Sequence, residues 1–294
     1  FVTPGQLRKM DVFHAPVDAI PGVIRRNPRI RKFFTALDLI PLVRPDLSTV
    51  FQDYTRVLYD TLTPEVNILA ISECTKRDIL KYRPDIRPDK IRVTYLAADK
   101  KLFYRKEGVH DSSKSLQELG LNGRKYFLTV NSMAKYKNVE FILHNFMNFI
   151  RERGITDLKL VVIGQNRETN YKAYIEQKYG SAEHILLLDY VDDQSLVDLY
   201  NGSMGFLYMS KYEGFGLPIL EAMQCGAPVI CSNAASLPEV AGDAAILLDP
   251  TDDHAMVEAL GRVYESESVR QGLVEAGMRQ SSKFSWEKYA GEVV

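Results

Sequence analysis

Short apolar runs alternate with longer amphipathic stretches through the second half of the chain. The runs are apolar at nearly every position, as in strands that are buried on both faces of a sheet. The stretches between them carry apolar residues at helical spacing. This pattern predicts a parallel sheet covered by helices, in a doubly wound α/β domain. The predicted strands are 126–130, 158–163, 184–188, 204–208, 228–231 and 244–248, and the predicted helices are 138–153, 169–180, 193–202, 217–225, 236–241, 251–266, 269–283 and 286–294.

The first 106 residues show the same alternation more weakly. Strands are predicted at 11–15, 32–37, 67–71 and 90–95, and helices at 47–62, with Asp46 as its cap, and at 73–82, with Ser72 and Thr75 at its start. We therefore expect a partial, Rossmann-like N-terminal domain over 1–106. Residues 107–123 have little apolar periodicity and are predicted to be a linker. A second domain is expected over 124–282, and 283–294 is expected to begin a crossing helix.

The composition indicates a globular protein with reduced cysteines. Of the 294 residues, 46% are hydrophobic and 26% are charged. The three cysteines are too few and too scattered for a disulfide framework or a zinc site. The histidines show no metal-ligand spacing, and no signal-peptide pattern is present. These features favour a cytoplasmic location and predict neither a metal nor a cofactor.

The net charge of -1 hides a strong asymmetry. Residues 1–106 carry 20 Lys and Arg against 12 Asp and Glu, whereas the remainder carries 17 against 26. One interpretation is a solvated basic face. The other is a surface that meets an anionic acceptor or, through peripheral contact, the inner face of a membrane. No nucleic-acid-binding motif accompanies the basic residues, so nucleic acid is not expected as a partner.

The segment from Glu213 to Glu221 places two carboxylates around a glycine loop that enters an apolar helix. Gly214 and Gly216 leave the backbone open to a ligand, and Pro218 suits the first helical turn. The free N–H groups and the helix dipole favour a phosphate there. The alternative is an ordinary helix start with acidic residues nearby.

Two further loops follow predicted strands, where α/β proteins bind their ligands. Lys135 and Lys137 lie in the loop that begins at Asn131, and they could neutralise a diphosphate from the side opposite the glycine loop. Glu221 could then accept hydrogen bonds from a ribose diol, which outlines a nucleotide-sugar site. Asp38 follows a strand of the first half. Exposed loop lysines and a loop-capping Asp38 are the alternative interpretations.

Several other sites are excluded by motif. The chain has no Gly-x-Gly-x-x-Gly, no Gly-x-x-x-x-Gly-Lys-Ser/Thr and no nucleophile elbow. The acidic pairs within Val191–Asp193 and Thr251–Asp253 are typical of helix N-caps rather than of a metal site.

The run Glu213-Gly-Phe-Gly-Leu-Pro-Ile-Leu-Glu221 resembles the Glu-x7-Glu motif of the retaining GT-B glycosyltransferases of family 4, the group 1 enzymes. The resemblance continues through Gln224-Cys-Gly-Ala-Pro-Val-Ile230 and Ser236-Leu-Pro-Glu-Val-Ala-Gly-Asp243. It extends from about Asp11 to the end of the chain. It implies two Rossmann-like domains that face a cleft, and transfer of a sugar from a nucleotide donor with retained configuration and no obligatory metal.

The resemblance also implies roles for individual residues. Glu213 is expected near the donor sugar, Glu221 at the ribose and Lys137 at the diphosphate, while the backbone of Val191 is expected at the nucleobase. Ser72 matches a motif position near the cleft. The backbone amides expected to bind sugar hydroxyls or phosphate are those of Gly214, Phe215, Gly216 and Leu217.

The chain departs from the family pattern in three places. Tyr136 and Asn131 stand where relatives often carry an arginine in the phosphate loop, so Lys135 is expected to compensate. Leu37-Asp38 stands where many relatives carry His-Asp, which leaves Asp38 with Glu213 as the expected catalytic residues. The first strands of the N-terminal domain are expected to be missing before Phe1, and the crossing helix to be cut at Val294.

We therefore expect a hexosyltransferase for a glycan or lipid-linked acceptor in cell-surface polysaccharide synthesis. Mannose and glucose are the candidate sugars. The first alternative is a non-catalytic nucleotide-sugar-binding module of a larger protein. The second is an epimerase or a phosphorylase on the same fold.

Overall fold

The computed structural model of the chain describes residues 7, 9–109, 113–132, 134–164, 171–179 and 183–293. The chain divides into two compact units. The first contains Phe1–Leu96, Glu213–Phe215 and Glu287–Val294, and the second contains Ala97–Tyr212 and Gly216–Trp286.

The first unit is built on a four-stranded parallel sheet with the order β1-β2-β3-β4. Its core includes Ile24, Phe34, Ile68 and Ile79, and the rings of Phe34 and Tyr59 meet edge to face at 5.6 Å. The apolar faces of the helices pack onto the sheet, whose two central strands are mostly buried. The strands are β1 (Val12–Ala15), β2 (Arg31–Ala36), β3 (Asn67–Ala70) and β4 (Ile91–Val93), and the helices are α1 (Gly22–Arg25), α2 (Ile40–Val43), α3 (Gln52–Asp60) and α4 (Glu73–Tyr82).

The second unit is built on a six-stranded parallel sheet. Its strands are β5 (Lys125–Val130), β6 (Leu158–Ile163), β7 (Ile185–Leu188), β8 (Gly205–Tyr208), β9 (Val229–Ser232) and β10 (Ile246–Leu248). Their order is β10-β9-β8-β5-β6-β7, so the chain builds outward from β5 in one direction and then from β8 in the other. This is the strand order of a Rossmann domain, and its direction reverses between β5 and β8.

Helices of the second unit pack against this sheet. The core contains Phe127, Phe146, Leu160 and Leu260, all fully buried. The apolar faces of the amphipathic helices therefore cover a sheet whose strands are apolar on both faces. The helices are α5 (Lys114–Glu118), α6 (Val139–Arg153), α7 (Tyr171–Tyr179), α8 (Asp193–Gly202), α9 (Leu217–Gln224), α10 (Leu237–Ala241), α11 (Asp253–Glu265), α12 (Glu267–Ser281) and α13 (Trp286–Val293), the last of which lies mainly in the first unit.

The segment 107–123, expected to be a linker, contains the helix α5. The second compact unit begins before it, at Ala97. Lys106 Nζ donates to Asp198 Oδ1 at 2.5 Å, and Ser113 Oγ donates to Asp198 Oδ2 at 2.6 Å. Asp198 is buried, so these two donors compensate its desolvated charge and fasten the segment to α8.

Helix starts follow the predicted capping residues in three of the cases considered. Ser72 Oγ accepts from Thr75 N at 2.9 Å, Asp192 caps α8 and Asp252 caps α11. The predicted cap at Asp46 is wrong. The helix α3 begins only at Gln52, and Asp46 instead accepts hydrogen bonds from the Arg44 guanidinium.

All three cysteines are buried free thiols. Cys74 lies in the first unit, whereas Cys225 and Cys231 lie in the second. Burial raises the pKa of Cys225 to about 12 and raises that of Cys231 as well. In the part of the chain that the structure describes, no helix has the length and apolar content needed to cross a bilayer.

Candidate active site

The reversal of strand order in the second unit sets two loops side by side. β5 and β8 pair in parallel, so the loops that follow Val130 and Tyr208 leave the same edge of the sheet. In open α/β sheets this position is where ligands bind. Both loops were predicted from the sequence to carry the phosphate-binding residues, and the topology makes them neighbours.

Lys137 connects the two loops. It ends a 3-10 turn over Lys135–Lys137, and its Nζ donates to Tyr208 Oη at 3.2 Å. The same ammonium lies 5.2 Å from the ring centroid of Tyr136 and 5.5 Å from that of Tyr208. A half-buried cation held against two aromatic rings has few conformations to lose when it meets an anion. Lys135, in the same turn, is exposed.

Backbone and amide hydrogen bonds fix the turn to its neighbours. Lys211 N donates to Tyr136 O at 2.7 Å. Asn138 has a left-handed φ of 58°, and its Nδ2 donates to Met209 O at 3.1 Å and to Pro250 O at 2.9 Å. Asparagine tolerates this backbone conformation better than most residues. One side chain thus ties the end of the β5 loop to the segments after β8 and β10.

Asn131 lies at the end of β5 and is 5% exposed. Its Nδ2 donates to Thr129 Oγ1 at 2.9 Å. Its Oδ1 has no hydrogen-bond partner among the described residues. A buried amide oxygen without a donor is costly, which makes Asn131 Oδ1 a ready acceptor for a hydroxyl or an N–H group.

The close approach of β6 to Asn131 depends on glycine. Gly164 N donates to Leu188 O, and a Cβ on Gly164 would lie 1.7 Å from Asn131 O. Only a residue without a side chain fits there. Gly164 and Gln165 together have the sequence of a tight turn after β6, and Gln165 lies outside the described residues.

The glycine loop opens α9 as the sequence predicted. Gly216 caps the helix with a φ of 116°, and a Cβ there would lie 2.6 Å from Leu237 Cδ2. Leu217 is the first helical residue, and Pro218 lies in the first turn. Pro218 has no N–H and Ile219 N donates to Gly216 O at 3.0 Å, so the N–H groups of Gly216 and Leu217 are the ones that lie at the positive end of the helix dipole.

Glu221 lies one turn into α9 and is held by a buried tyrosine. Tyr200 Oη donates to Glu221 Oε2 at 3.1 Å, and Tyr200 itself is fully buried in α8. Burial raises the pKa of Glu221 above its ordinary value of 4.5, with Asp193 adding to the rise and the Tyr200 hydrogen bond opposing it. The arrangement leaves Glu221 as an oriented acceptor for hydroxyl groups.

Glu221→Gln is expected to make the protein progressively more stable than the wild type as the pH rises. The folded wild type binds the Glu221 proton more tightly than the unfolded chain, so its unfolding free energy falls as the pH rises from the ordinary pKa through the folded one. The Gln variant lacks this loss. Urea unfolding from about pH 4 to about pH 8 measures the difference. Glu275→Gln, which removes an exposed carboxylate, controls for the lost charge; a difference independent of pH would contradict the prediction.

Residues of the first unit form a second group. Gly214 packs so closely that a Cβ would lie 2.3 Å from Leu37 O and 2.9 Å from Asp38 Cβ. Thr75 Oγ1 lies within hydrogen-bond distance of Leu37 O, at 3.2 Å, and of Gly214 O, at 3.4 Å. Glu213 is therefore a buried carboxylate in the loop that lies against the end of β2.

Asp38 has the capping contact that was its alternative interpretation. Its Oδ1 accepts from Ile40 N at 3.1 Å, at the start of α2. Ser72 is the N-cap of α4 and is fully buried. The ring of Phe215 lies 6.1 Å from that of Tyr95. Val191 lies, half-buried, in the loop between β7 and α8.

Sequence reasoning missed the two tyrosines that orient the charged residues. Tyr208 ends a buried strand and Tyr200 lies on the buried face of α8, so both have the pattern of ordinary core residues. Their hydroxyl groups show their role only once the partners Lys137 and Glu221 are placed. Among the described residues, no group of three or more His, Cys, Asp or Glu could hold a metal ion.

Comparison with known proteins adds the family. The model of the family described as glycosyl transferases group 1 matches residues 111–280, which contain both loops at the reversal of strand order. The chain belongs to the group 1 glycosyltransferases. This chain is 32% identical over 238 residues to O-antigen chain mannosyltransferase B of Escherichia coli, and the match covers 81% of this chain and 61% of that protein. It is 28% identical to the MMP alpha-(1->4)-mannosyltransferase of Mycolicibacterium hassiacum, over 77% of this chain and 52% of that protein.

Several solved structures share the fold of this chain. Sucrose-phosphate synthase from Thermosynechococcus elongatus matches with a TM-score of 0.77 and 18% identity, over 96% of this chain and 72% of that one. Anabaena HepE in complex with UDP-glucose matches with a TM-score of 0.75 and 16% identity, over 90% of this chain and 71% of that one. WaaG, a glycosyltransferase involved in lipopolysaccharide biosynthesis, matches with a TM-score of 0.73 and 15% identity, over 91% of this chain and 76% of that one. The α/β fold of parallel sheets is thus the GT-B fold. The chain spans 61% and 52% of the length of the two curated relatives given above.

Proposed function

We propose that this glycosyltransferase moves a hexose from a nucleotide diphosphate donor to a growing cell-surface glycan, with retention of the anomeric configuration. The observation that carries the proposal is the Lys137–Tyr208 contact, which holds a cation at the reversal of strand order beside the start of α9. Mannose is the preferred sugar, because the two curated relatives compared above are named mannosyltransferases. A polymeric or lipid-linked acceptor agrees with the O-antigen relative.

The donor-binding roles follow from charge and geometry. Lys137 neutralises the diphosphate, with Lys135 adding charge and Asn131 Oδ1 accepting a donor hydrogen bond. The N–H groups of Gly216 and Leu217, at the start of α9, meet sugar hydroxyls or phosphate. Further roles are the ribose for Glu221, the nucleobase for the Val191 backbone, and sugar hydroxyls or phosphate for the amides of Gly214 and Phe215.

The proposed chemistry depends on stabilising the leaving group. As the bond between the anomeric carbon and the phosphate oxygen breaks, charge grows on the diphosphate, and a fixed cation and helix dipole stabilise it. The acceptor hydroxyl then forms the new bond on the same face, and its proton passes to the departing phosphate. Glu213 orients the donor sugar and supports the positive character of its anomeric carbon, and Asp38 is assigned to the sugar and acceptor side.

Two partners extend the proposal beyond the donor. The excess of positive charge in residues 1–106 favours an anionic acceptor, and it also favours peripheral contact with the inner face of a membrane. A protein acting there would work on the cytoplasmic side. No nucleic-acid partner is proposed.

A product analysis tests the proposal. The purified chain is first screened against nucleotide sugars by thermal shift, since a bound donor raises the melting temperature. The donor that binds is then incubated with a mannose-terminated oligosaccharide, and the configuration of the new linkage is read by NMR. A linkage with the donor's own configuration is the expected result, and an inverted linkage would contradict retention.

The same experiment separates the alternatives. Donor binding without transfer or donor hydrolysis would identify a non-catalytic module. A changed sugar in the absence of an acceptor would identify an epimerase, and a requirement for inorganic phosphate would identify a phosphorylase.

A further inference from the structure

The N-terminal ends of three strands in the first unit surround a cavity of about 440 Å³. β2, β3 and β4 are parallel and adjacent, so their first residues lie along one edge of the sheet. Asp38 and Ser72 follow the other ends of β2 and β3, at the opposite edge. The polar and charged side chains of the cavity are those of Arg31, Lys32, Glu65, Asn67 and Lys90.

The cavity has a surplus of positive charge. Three cations, Arg31, Lys32 and Lys90, face a single carboxylate, Glu65. A hydrogen bond from Thr63 chiefly lowers the pKa of Glu65, and the charges of Lys32 and Lys90 lower it further, so Glu65 is ionised at neutral pH. The lining therefore carries two more positive charges than negative charges.

Lys32 is unusual because its charge is buried. The residue is 7% exposed, and its Nζ donates to Asn27 O at 2.8 Å. An ammonium has three N–H donors, and a buried one is costly unless its donors are used. In the described ranges, Asn27 O is the single acceptor recorded for it, which leaves donors for a ligand. The backbone of Lys32 is fixed as well, because its O accepts from Asn67 Nδ2.

The other two cations are not used by the fold. Across the residues that the structure describes, neither the Arg31 guanidinium nor the Lys90 ammonium forms an ion pair or a side-chain hydrogen bond. Each nevertheless begins or directly precedes a strand, so its backbone is held in place. Positioned cations without protein partners indicate an anionic ligand.

We propose that this cavity binds a phosphate dianion, supplied either as a soluble phosphomonoester or as the phosphate headgroup of a membrane lipid. A phosphomonoester carries close to two negative charges at neutral pH, which equals the surplus of the lining. Arg31 offers a planar pair of donors, and the two lysines offer compact charges, the combination that proteins use for phosphate. The site lies in the first unit and shares no residue with the donor-binding set.

The proposal is tested with two charge-changing variants that are expected to shift phosphate affinity in opposite directions. The full chain is titrated with glycerol 3-phosphate and with inorganic phosphate, and binding is followed by amide chemical shifts at the starts of β2, β3 and β4. Lys90→Gln is expected to weaken binding about tenfold, whereas Glu65→Gln is expected to strengthen it by a few fold because it removes a like charge. Arg77→Gln, which removes an exposed cation outside the cavity, is expected to match the wild type.

Vesicles distinguish the two sources of phosphate. Cosedimentation is measured with phosphatidylcholine vesicles, with and without phosphatidic acid. Saturable binding of soluble phosphate with the expected signs identifies a soluble ligand. Binding only to phosphatidic acid, reduced by Lys90→Gln and increased by Glu65→Gln, identifies a lipid headgroup. The proposal is overturned if neither probe binds, or if both variants behave like Arg77→Gln while circular dichroism shows them folded.

Discussion

Replacing Lys137 with Met is expected to lower kcat/KM for sugar transfer by about 10²–10³-fold. Met keeps most of the aliphatic length but removes the charge that we propose stabilises the departing diphosphate. The effect should fall mainly on kcat, because negative charge on the leaving group is larger in the transition state than in the bound donor. Initial rates over a range of donor concentrations measure both constants. Calorimetry with the nucleoside diphosphate should show weakened binding of that product.

The chain offers matched controls for this experiment. Lys100→Met removes an exposed ammonium elsewhere in the second unit and is expected to leave kcat/KM unchanged. Tyr208→Phe keeps the ring under Lys137 but removes the hydroxyl that accepts its hydrogen bond, so an intermediate loss of about tenfold is expected. Equal activity of Lys137→Met and Lys100→Met, or unchanged diphosphate binding, would show that Lys137 does not hold the leaving group.

Gly164→Ala is expected to destabilise the second unit by about 3 kcal/mol. The new Cβ would lie 1.7 Å from Asn131 O and 2.8 Å from Asn131 C, and both are backbone atoms. No side-chain rotation relieves such a clash, so the ends of β5 and β6 must move apart. Because Asn131 begins the loop that we propose binds the diphosphate, donor affinity should fall together with stability. Urea unfolding and donor titration measure the two effects.

The same substitution elsewhere in the unit should have the opposite sign. A Cβ on Gly272, in the interior of α12, would meet no atom within 4 Å. Gly272→Ala is therefore expected to stabilise the protein by about 0.5–1 kcal/mol through its better helix propensity. Similar urea midpoints for the two alanine variants would mean that the close approach at Gly164 is not rigid.

The elements of the second unit could be predicted from the sequence because their signals are local. A strand buried on both faces must be apolar at successive positions, and β6 was predicted at the residues where it occurs. The start of α9 was predicted for the same reason, since Gly216 and Pro218 act on the backbone where they stand. The weaker alternation of the first unit also placed its strands, although it missed the late start of α3.

Contacts between distant residues could not be predicted. Nothing in the sequence around Lys106 indicates that it pairs with Asp198, which lies on α8. The clash that forbids a side chain at Gly164 likewise involves Asn131, on another strand. Such contacts depend on the register and order of strands, which an alternating pattern does not specify.

The candidate site shows the same division. The charged residues at the reversal of strand order were predicted, because lysines and carboxylates next to glycine loops have a chemical meaning without a structure. Their orientation was not, because Tyr200 and Tyr208 resemble core residues until their hydroxyl groups are seen to meet Glu221 and Lys137. The assigned roles of these residues in donor binding and catalysis are predictions for the experiments above.

Both units contain a buried cysteine, so the labelling of each thiol measures the local unfolding of the unit that contains it. Cys74 belongs to the first unit, and Cys225 and Cys231 belong to the second. A buried thiol reacts with a disulfide reagent only when its surroundings unfold. The labelling rate of Cys74 therefore measures how fast the first unit opens. The labelling rates of Cys225 and Cys231 measure how fast the second unit opens. A nucleotide sugar held by the second unit should slow the labelling of Cys225 and Cys231 more than that of Cys74.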